Sequence, residues 1–373
     1  MRYLTAGESH GPGLAAILDG IPAGLEVSTD ELREELRRRR RCYGRGARSD
    51  IEGDEFQITG GVHQGKTTGA PISVFIPNRD YPNWVSKHAP ITAPRPGHAD
   101  LAGAMKYGFL DCRPVAERAS ARETAARVAC GYFAKKLLQH HGIKVLSWVV
   151  SIGEVDAELP DADLRLSNPK VAIDLAFRAE SSPVRCPDPA ASARAVTAID
   201  AAAEAGDTIG GVMEVVAVGT PPGLGTHVQW DRRLDARLAA AIMSINGVKA
   251  VEIGGGFTTS RMRGSLAHDP IIPSGESPVR FLRPSNRAGG IEGGITNGQP
   301  VFLRAAVKPV PTLKNPLPSV DLVTGEACSA HVERSDVCIV GSAAVVAEAM
   351  IALVLADALM ERYGSDVLNG VPK

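Results

Sequence analysis

The sequence lacks the short motifs that identify the common metal and nucleotide sites. Its six cysteines are scattered and include no Cys-x-x-Cys pair, so we expect free, mostly structural thiols. Cys328-Ser-Ala-His331 has the spacing of half a metal site, but no second half is present, and we predict no metal. No Gly-x-Gly-x-x-Gly run opens a helix, and Gly65-Lys66-Thr67 lacks the earlier glycine of a Walker loop. These absences exclude the dinucleotide-binding and P-loop folds.

The chain also lacks an excess of either charge and an uninterrupted apolar span. Its 373 residues hold 41 Lys and Arg against 42 Asp and Glu, and the pI is about 6.8. Nucleic-acid-binding domains commonly exceed a pI of roughly 9. The most apolar segment, residues 343–360, is interrupted by Glu348 and Asp357, which predicts a buried core helix. With no evident secretory signal, we expect a cytoplasmic protein without a nucleic-acid or membrane partner.

What the sequence does contain is a local concentration of arginine. Eight arginines lie within sixteen residues: Arg33, Arg37, Arg38, Arg39, Arg40, Arg41, Arg45 and Arg48. In a nearly neutral chain, such a cluster favours a pocket for phosphate and carboxylate groups, which the guanidinium fork binds through paired hydrogen bonds. Successive helical residues point about 100° apart, so residues 37–41 cannot all face one ligand. Some of them must be solvated or paired with neighbours.

Helix signals appear at several places. Ser28-Thr29-Asp30-Glu31 is a capping box that predicts a helix burying Leu32 and Leu36. A second helix should run from about Arg122 to His140. A third should be capped by Asp231 and end before Gly247.

Strand signals occupy residues 56–62, 72–76, 145–152, 212–218 and 301–307, between Gly- and Pro-rich turns. Strands and helices do not alternate regularly, which predicts an α+β fold with antiparallel pairing. Glycine pairs beside these strands suit either turns or a close backbone approach to a ligand. No linker or repeat is evident. We therefore expect one domain over residues 1–373, with residues 156–206 as a candidate peripheral excursion.

Seven separated blocks together resemble the chorismate synthase family. They are Gly7-Glu8-Ser9-His10-Gly11, Arg95-Pro96-Gly97-His98-Ala99-Asp100, Arg118-Ala119-Ser120-Ala121-Arg122-Glu123-Thr124, Ser244-Ile245-Asn246-Gly247-Val248-Lys249, Gly293-Gly294-Ile295-Thr296-Asn297-Gly298-Gln299, Lys308-Pro309 and Arg334-Ser335-Asp336. They run in order from Met1 to about Arg362. So many ordered blocks exclude chance similarity.

The resemblance implies a shikimate-pathway lyase for aromatic amino acid biosynthesis. Such an enzyme removes phosphate and a ring hydrogen from 5-enolpyruvylshikimate 3-phosphate to give chorismate, and it requires reduced FMN although the reaction is redox-neutral overall. It also implies a β-α-β sandwich, in which antiparallel sheets enclose helices, and a homotetramer. Fungal members carry their own NADPH-driven flavin reductase. Nothing here supports that addition, so we expect reduced FMN to come from elsewhere, with NAD(P)H acting through a separate flavin reductase.

The resemblance also implies roles for individual charged residues. Arg39, Arg45 and Arg48 would hold the substrate anions. Arg122 would add a further anion contact, although an internal salt bridge explains that residue equally well. By the same comparison, His10 would contact the substrate and protonate the leaving phosphate. Histidine suits this task because its ordinary pKa of roughly 6.5 lies near working pH.

Further residues would surround the flavin. His98 would protonate or stabilise reduced FMN, while Ser9 and Asp336 would assist removal of the ring hydrogen. The implied FMN contacts are Arg118, Ala119, Ser120, Asn246, Gly247, Gly293, Lys308, Pro309, Val310, Pro311, Thr312 and Arg334. We expect Arg118 to Ser120 to lie at the start of the second helix, where free N–H groups favour anions. An internal salt bridge also remains open for Arg334.

Two departures concern local contacts. Residues 111–117 replace a glycine-rich approach found in one branch of the family, and Ser335 stands where that branch often has histidine. Both features match another bacterial-type branch. Two alternatives to the lyase also stay open: a flavin oxidoreductase, which would consume reductant, and a non-catalytic protein that binds anions or flavin.

Overall fold

The computed structural model describes residues 1–46, 53, 55–85, 89–275, 281–364 and 366–368. Its strands are β1 (Arg2–Ala6), β2 (Gly13–Asp19), β3 (Gln57–Gly60), β4 (Val62–His63), β5 (Lys66–Thr67), β6 (Ile72–Pro77), β7 (Lys144–Ile152), β8 (Val155–Asp156), β9 (Gly211–Val218), β10 (Val248–Ile253), β11 (Ile272–Pro273), β12 (Phe281–Leu282), β13 (Ile291–Glu292), β14 (Ile295–Thr296), β15 (Val301–Val307), β16 (Pro318–Val320) and β17 (Ala327–Ser329).

The helices lie between these strands in an irregular order. They are α1 (Thr29–Arg40), α2 (Asp100–Tyr107), α3 (Arg113–Ala119), α4 (Thr124–His140), α5 (Ala162–Ser167), α6 (Pro169–Glu180), α7 (Pro189–Glu204), α8 (Leu234–Met243), α9 (Gly256–Thr259), α10 (Gly264–Ala267) and α11 (Val340–Tyr363). Short 3₁₀ turns occupy Tyr81–Asn83, Ala121–Glu123 and Trp230–Arg232.

Two antiparallel sheets organise these elements. One has the strand order β1-β2-β6-β3 and the other has the order β10-β15-β9-β7-β8. All five predicted strand segments are present, within a few residues at each end. The α+β expectation with antiparallel pairing is therefore confirmed.

Two long helices fill the core next to these sheets. Helix α4 packs on β2 and β6, helix α11 packs on β7 and β9, and the two helices pack against each other. Gly131 permits this close approach, because a Cβ atom there would lie 2.3 Å from the Cβ of Ala349. Within α11, an 18-residue window has a mean hydropathy of 2.1, and 83% of it is buried inside the protein. This is the buried core helix that the sequence predicts.

Within residues 156–206, α6 covers the face of the five-stranded sheet opposite the central core, whereas the buried apolar side chains of α7 belong to the central core. Helix α6 packs on β7, and α7 packs on β7 and β8. Trp148 joins Leu175 and Phe302 in the apolar cluster on this face, whereas Val149 belongs to the central core. Adjacent strand residues point to opposite faces, so β7 is buried on both sides.

The predicted N-cap of α1 forms, but the Ser28 N–H donates to the Tyr132 hydroxyl at 2.8 Å and not to the Glu31 side chain, as a full capping box would require. The Ser28 hydroxyl accepts a hydrogen bond from the Glu31 N–H at 3.3 Å, and Leu32 and Leu36 are buried. All six cysteines lie in described residues as free thiols, and all except Cys328 are buried.

Two helix starts differ from prediction. Arg118 and Ala119 end the separate helix α3 instead of beginning the long helix, because Ser120 is extended before the 3₁₀ turn that leads into α4. Asp231 lies in a 3₁₀ turn, and α8 begins later, after Arg233, without a side-chain cap. The expected Asp231 cap is therefore wrong.

Candidate active site

A cavity of about 360 Å³ lies among loops that join the main elements. Its walls come from seven stretches within residues 9–10, 45–46, 95–99, 116–122, 246–247, 308–312 and 333–339. This volume falls within the range typical of small-molecule sites. The cavity therefore brings together residues that are far apart in the chain.

Most of the site residues expected from the sequence line this cavity. They are Ser9, His10, Arg45, His98, Ala119, Ser120, Arg122, Asn246, Gly247, Lys308, Pro309, Val310, Pro311, Thr312, Arg334 and Asp336. Gly247 has φ +87°, a backbone conformation that favours glycine, and it lies in the turn between α8 and β10. The structure thus brings the four expected catalytic residues into one enclosure.

Two of the expected arginines do not line this cavity. Arg39 is 3% exposed, donates to the Arg122 carbonyl at 3.3 Å and lines a smaller cavity of about 20 Å³ behind Arg122. Arg118 reaches away from the main cavity and donates to the Thr5 carbonyl at 2.9 Å. Arg48 lies outside the described residues.

Gly293 also does not line the cavity within this chain. It forms the turn between β13 and β14 with φ +60°, and a Cβ atom there would meet only the Cβ of His227, at 4.0 Å. The turn is open and could admit another group closely.

A buried ion pair supports His98 on one wall. Its Nδ1 atom contacts the carboxylate of Asp100, which is fully buried, and Arg95 Nε donates to that carboxylate at 2.8 Å. Burial alone would raise the pKa of Asp100, but the hydrogen bonds from His98 and Arg95 outweigh it and hold the pKa well below its usual range. The ionised carboxylate therefore fixes the His98 ring through Nδ1.

His10 has a matching carboxylate on another wall. Glu117 Oε1 lies 2.8 Å from His10 Nδ1, and Oε2 accepts the His10 backbone N–H at 2.6 Å. The His10 ring also packs on Trp84, with ring centroids 3.8 Å apart. Burial would raise the pKa of Glu117, but its hydrogen bond and charge interaction with His10 lower it overall.

Arg45 and Asp336 form an ion pair at the cavity, with Nη1 and Oδ2 3.1 Å apart. The Gly46 N–H donates to the other carboxylate oxygen at 2.7 Å. A Cβ atom on residue 46 would lie 2.9 Å from the Ser335 carbonyl oxygen, so glycine is required for this contact. Asp336 is thus held on both oxygens and can act as a fixed charge or a proton acceptor.

Two buried polar atoms in the walls have no hydrogen-bond partner among the described residues. They are Arg45 Nε, a donor, and Asn246 Oδ1, an acceptor whose companion Nδ2 donates to the Ala119 carbonyl at 2.8 Å. Unsatisfied buried polar atoms are costly unless a ligand or water pairs with them. The walls therefore suit a ligand that has both hydrogen-bond acceptors and hydrogen-bond donors.

Several residues of this site were not predicted from the sequence. Glu117, Arg95 and Glu333 line the cavity, and Asp100 lies directly behind His98. The spacing of His98-Ala-Asp100 could have indicated the contact between His98 and Asp100. No local signal indicates that Glu117 contacts His10, because 107 residues separate them.

A pocket lined by cations, two supported histidines and unsatisfied polar atoms defines an enzyme site for an anionic ligand. The family model for chorismate synthase matches residues 1–360. The chorismate synthase of Salinispora tropica is 52% identical, over 98% of this chain and 95% of the relative. That of Aquifex aeolicus is also 52% identical, over 100% and 96%.

A crystal structure of chorismate synthase matches with a TM-score of 0.81 at 44% identity, covering 99% of this chain and 94% of that one. The chain therefore belongs to the chorismate synthase family.

Proposed function

We propose that the chain converts 5-enolpyruvylshikimate 3-phosphate into chorismate by 1,4-elimination of phosphate in the presence of reduced FMN. The reaction is that of a shikimate-pathway lyase. The main support for this proposal is that His10, His98, Arg45 and Asp336 line the same cavity. The chain also matches the family over nearly its whole length. A non-catalytic binding protein would not need two histidines that are each held by a buried carboxylate.

Residues on one side of the cavity would hold the flavin. Asn246 Oδ1 offers an unsatisfied acceptor, residues 308–312 form a continuous wall, and Ser120 and Arg334 complete this side. Burial and the nearby charge of Lys249 lower the pKa of Lys308, whose ammonium contacts the Gly97 carbonyl. When bound, reduced FMN supplies the transient electron donation that eases the departure of phosphate.

The arginines would bind the phosphate and two carboxylates of the substrate. Arg45 and Arg122 line the cavity, and Arg39 supports Arg122 from behind through its carbonyl. A charged hydrogen bond is worth roughly 1.5 to 3 kcal/mol. Contacts of this strength would help to orient a small substrate that has three anionic groups.

The histidines and the Ser9–Asp336 pair would move protons. His10 would donate a proton to the leaving phosphate, and His98 would hold a proton on the flavin side with Nδ1 fixed by Asp100. Ser9 accepts a hydrogen bond from the Ser120 hydroxyl at 3.1 Å, so its own hydroxyl hydrogen can point elsewhere. Asp336 would assist removal of the ring hydrogen.

The proposal also covers the assembly. The contacts of α4 with one sheet and of α11 with the other support a β-α-β sandwich. Exposed large side chains, among them Trp230 at 79% and Met105 at 75%, support a homotetramer that would cover them. The enzyme would act in the cytoplasm, with a separate NAD(P)H-dependent reductase supplying reduced FMN.

The decisive experiment is an anaerobic assay with substrate and chemically reduced FMN that follows chorismate absorbance and free phosphate together. We expect equal, catalytic formation of both products without net loss of reduced flavin. His10→Ala should lower kcat by about 10²- to 10⁴-fold, the usual contribution of a general acid. His63→Ala, which changes an exposed histidine in β4, should match the wild type.

Three outcomes would overturn the proposal. Net consumption of reduced flavin in proportion to turnover would identify an oxidoreductase. Absence of both products, with folded protein and bound FMN verified, would identify a binding protein, as would identical behaviour of the wild type, His10→Ala and Asp336→Asn.

A further inference from the structure

Glu117 is the buried carboxylate that holds the His10 segment in place. The residue is 7% exposed and lies in α3, while His10 lies in the turn between β1 and β2. Its Oε1 and Oε2 atoms contact His10 Nδ1 and the His10 backbone N–H, and its backbone carbonyl accepts the Ser9 N–H at 3.1 Å. Three contacts therefore join one residue of α3 to two consecutive residues of the turn.

We propose that Glu117 is a positioning residue that keeps His10 protonated at Nδ1 and thereby presents Nε2 as the ring nitrogen that exchanges a proton with the substrate phosphate. The catalytic part of this inference rests on the proposed function. The tautomer itself does not, because it is a property of the unliganded chain.

Hydrogen-bond chemistry fixes the direction of the His10 contact. An ionised carboxylate can only accept hydrogen bonds, so Nδ1 must carry the hydrogen that lies between the ring and Oε1. Arg113 helps to keep the carboxylate ionised, with its Nη1 atom 3.4 Å from the same Oε1 atom. Because Trp84 packs on the His10 ring, rotation that would exchange the two nitrogens meets a steric barrier.

The charged groups around this histidine come from several elements. Arg113 and Glu117 lie on α3, and the Arg122 guanidinium donates to the Ser9 carbonyl at 2.9 Å. Behind the Trp84 ring, Asp80 accepts the indole N–H at 2.9 Å, and Arg334 lies 4.0 Å from the same carboxylate. Among these groups, Glu117 contacts an imidazole nitrogen directly.

The test compares Glu117→Gln with Glu123→Gln. Glu123 is also a buried carboxylate in the same segment, but its partners are Arg127 and Thr5, with Arg127 Nε at 2.7 Å and the Thr5 hydroxyl at 3.3 Å. Gln can still accept one of the two His10 hydrogen bonds, so the fold should persist. We expect Glu117→Gln to lower kcat by about 10- to 100-fold, by analogy with the carboxylates that orient metal-bound histidines, with less than about a threefold change in KM.

The pH dependence distinguishes positioning from simple structural support. Removing a carboxylate charge disfavours the imidazolium form, so the alkaline limb of the kcat profile should move to lower pH in Glu117→Gln. It should stay in place in Glu123→Gln. Glu117→Asp keeps the charge and should retain more of the wild-type profile than Glu117→Gln does.

A second readout needs neither substrate nor flavin. Hydrogen–deuterium exchange at the imidazole C2 position, followed by mass spectrometry on the peptide containing His10, reports the pH at which that ring becomes protonated. Glu117→Gln should move this titration to lower pH and leave that of His98 unchanged. An unmoved His10 titration would overturn the proposal, even if the wild type formed no chorismate and the proposed function had failed.

A double-mutant cycle completes the test. If Glu117 acts through His10, Glu117→Gln should have little further effect on kcat in a His10→Ala background. Equal losses in both backgrounds would overturn the positioning role and leave a structural one. If Glu117→Gln does not fold, the same cycle is carried out with Glu117→Asp, whose shorter side chain weakens the contact with Nδ1. A loss of kcat that is equal with and without His10 would overturn the inference, whereas a loss confined to the protein with His10 would support it.

Discussion

The protein has two clusters of basic and acidic side chains: in one the charges pair with one another, and in the other they face a cavity. The Glu348 cluster, formed by Glu35, Arg38, Lys135, Ser147, Glu180, Arg185 and Glu348, lies among α1, α4, α11 and β7. Glu348 is 1% exposed and contacts Arg38 at 2.9 Å, Lys135 at 2.5 Å and the Ser147 hydroxyl at 2.6 Å. The second cluster forms the walls of the 360 Å³ cavity.

The two clusters differ in their balance of positive and negative side chains. The Glu348 cluster has three cationic and three carboxylate side chains, and none of them lines a described cavity. The cavity walls instead have five cationic side chains, Arg45, Arg95, Arg122, Lys308 and Arg334, against three carboxylates, Glu117, Glu333 and Asp336. A balanced, enclosed cluster stabilises the fold, whereas a cationic excess facing a cavity leaves charge for an anionic ligand.

Removing the central carboxylate of the Glu348 cluster should have the largest effect, a loss of folding stability. Glu348→Ala would leave Arg38, Lys135 and Arg185 close together without their shared carboxylate, and removal of one partner of a buried pair costs about 3–5 kcal/mol. Chemical denaturation should show a loss of that size in the free energy of unfolding. Glu361→Ala, on the same helix and 42% exposed, should change it by less than about 1 kcal/mol. A loss below 1 kcal/mol in Glu348→Ala would contradict the assignment.

Removing a cationic side chain from the cavity walls should weaken substrate binding more than it lowers stability. Arg45→Met should weaken substrate binding tens- to over a hundredfold, the equivalent of roughly 1.5 to 3 kcal/mol for a charged hydrogen bond. Calorimetric titration with substrate and thermal unfolding without it would separate the two effects. Arg41→Met is the matched control, since that side chain is 46% exposed just beyond α1. Equal affinity in both variants would remove Arg45 from the binding wall.

The sequence predicts local structure well where one chemical signal dominates. The capping box specifies the start of α1, and the apolar run specifies α11. Strands β1, β2 and β10 were not predicted. The exposed and half-buried residues of β1 and the alanine pair of β2 give weak apolar patterns, and β10 contains Lys249 and Glu252. Their pairing is determined by neighbouring strands that local sequence does not reveal.

The candidate site shows the same limit. Family resemblance identified most of the cavity wall, but the neighbouring residues Arg38 and Arg39 look alike in sequence. Arg38 belongs to the Glu348 cluster, whereas Arg39 lies behind Arg122. Which of the two lies next to a residue of the cavity wall depends on long-range packing, as does the contact between Glu117 and His10.

The smallest expected effect concerns Glu180, at the more exposed edge of the Glu348 cluster. Burial would raise its pKa, but hydrogen bonds and charge from Arg38 and Arg185 lower it overall. A lowered folded-state pKa means that the ionised carboxylate stabilises the fold above the ordinary glutamate pKa of about 4.3, and that this contribution is lost as pH falls through the folded value.

Glu180→Gln should therefore be less stable than the wild type near pH 7, by on the order of 1 kcal/mol for a partly exposed pair. The difference should shrink as pH falls below about 4.3, because the wild-type carboxylate then becomes protonated too. Urea denaturation at several pH values between 7 and 3 would measure it. Asp174→Asn, at a 65% exposed carboxylate 3.6 Å from Arg178, should change stability little at pH 7. If Glu180→Gln were less stable than the wild type by the same amount at every pH, the contribution of Glu180 to the Glu348 cluster would come from side-chain geometry and not from charge.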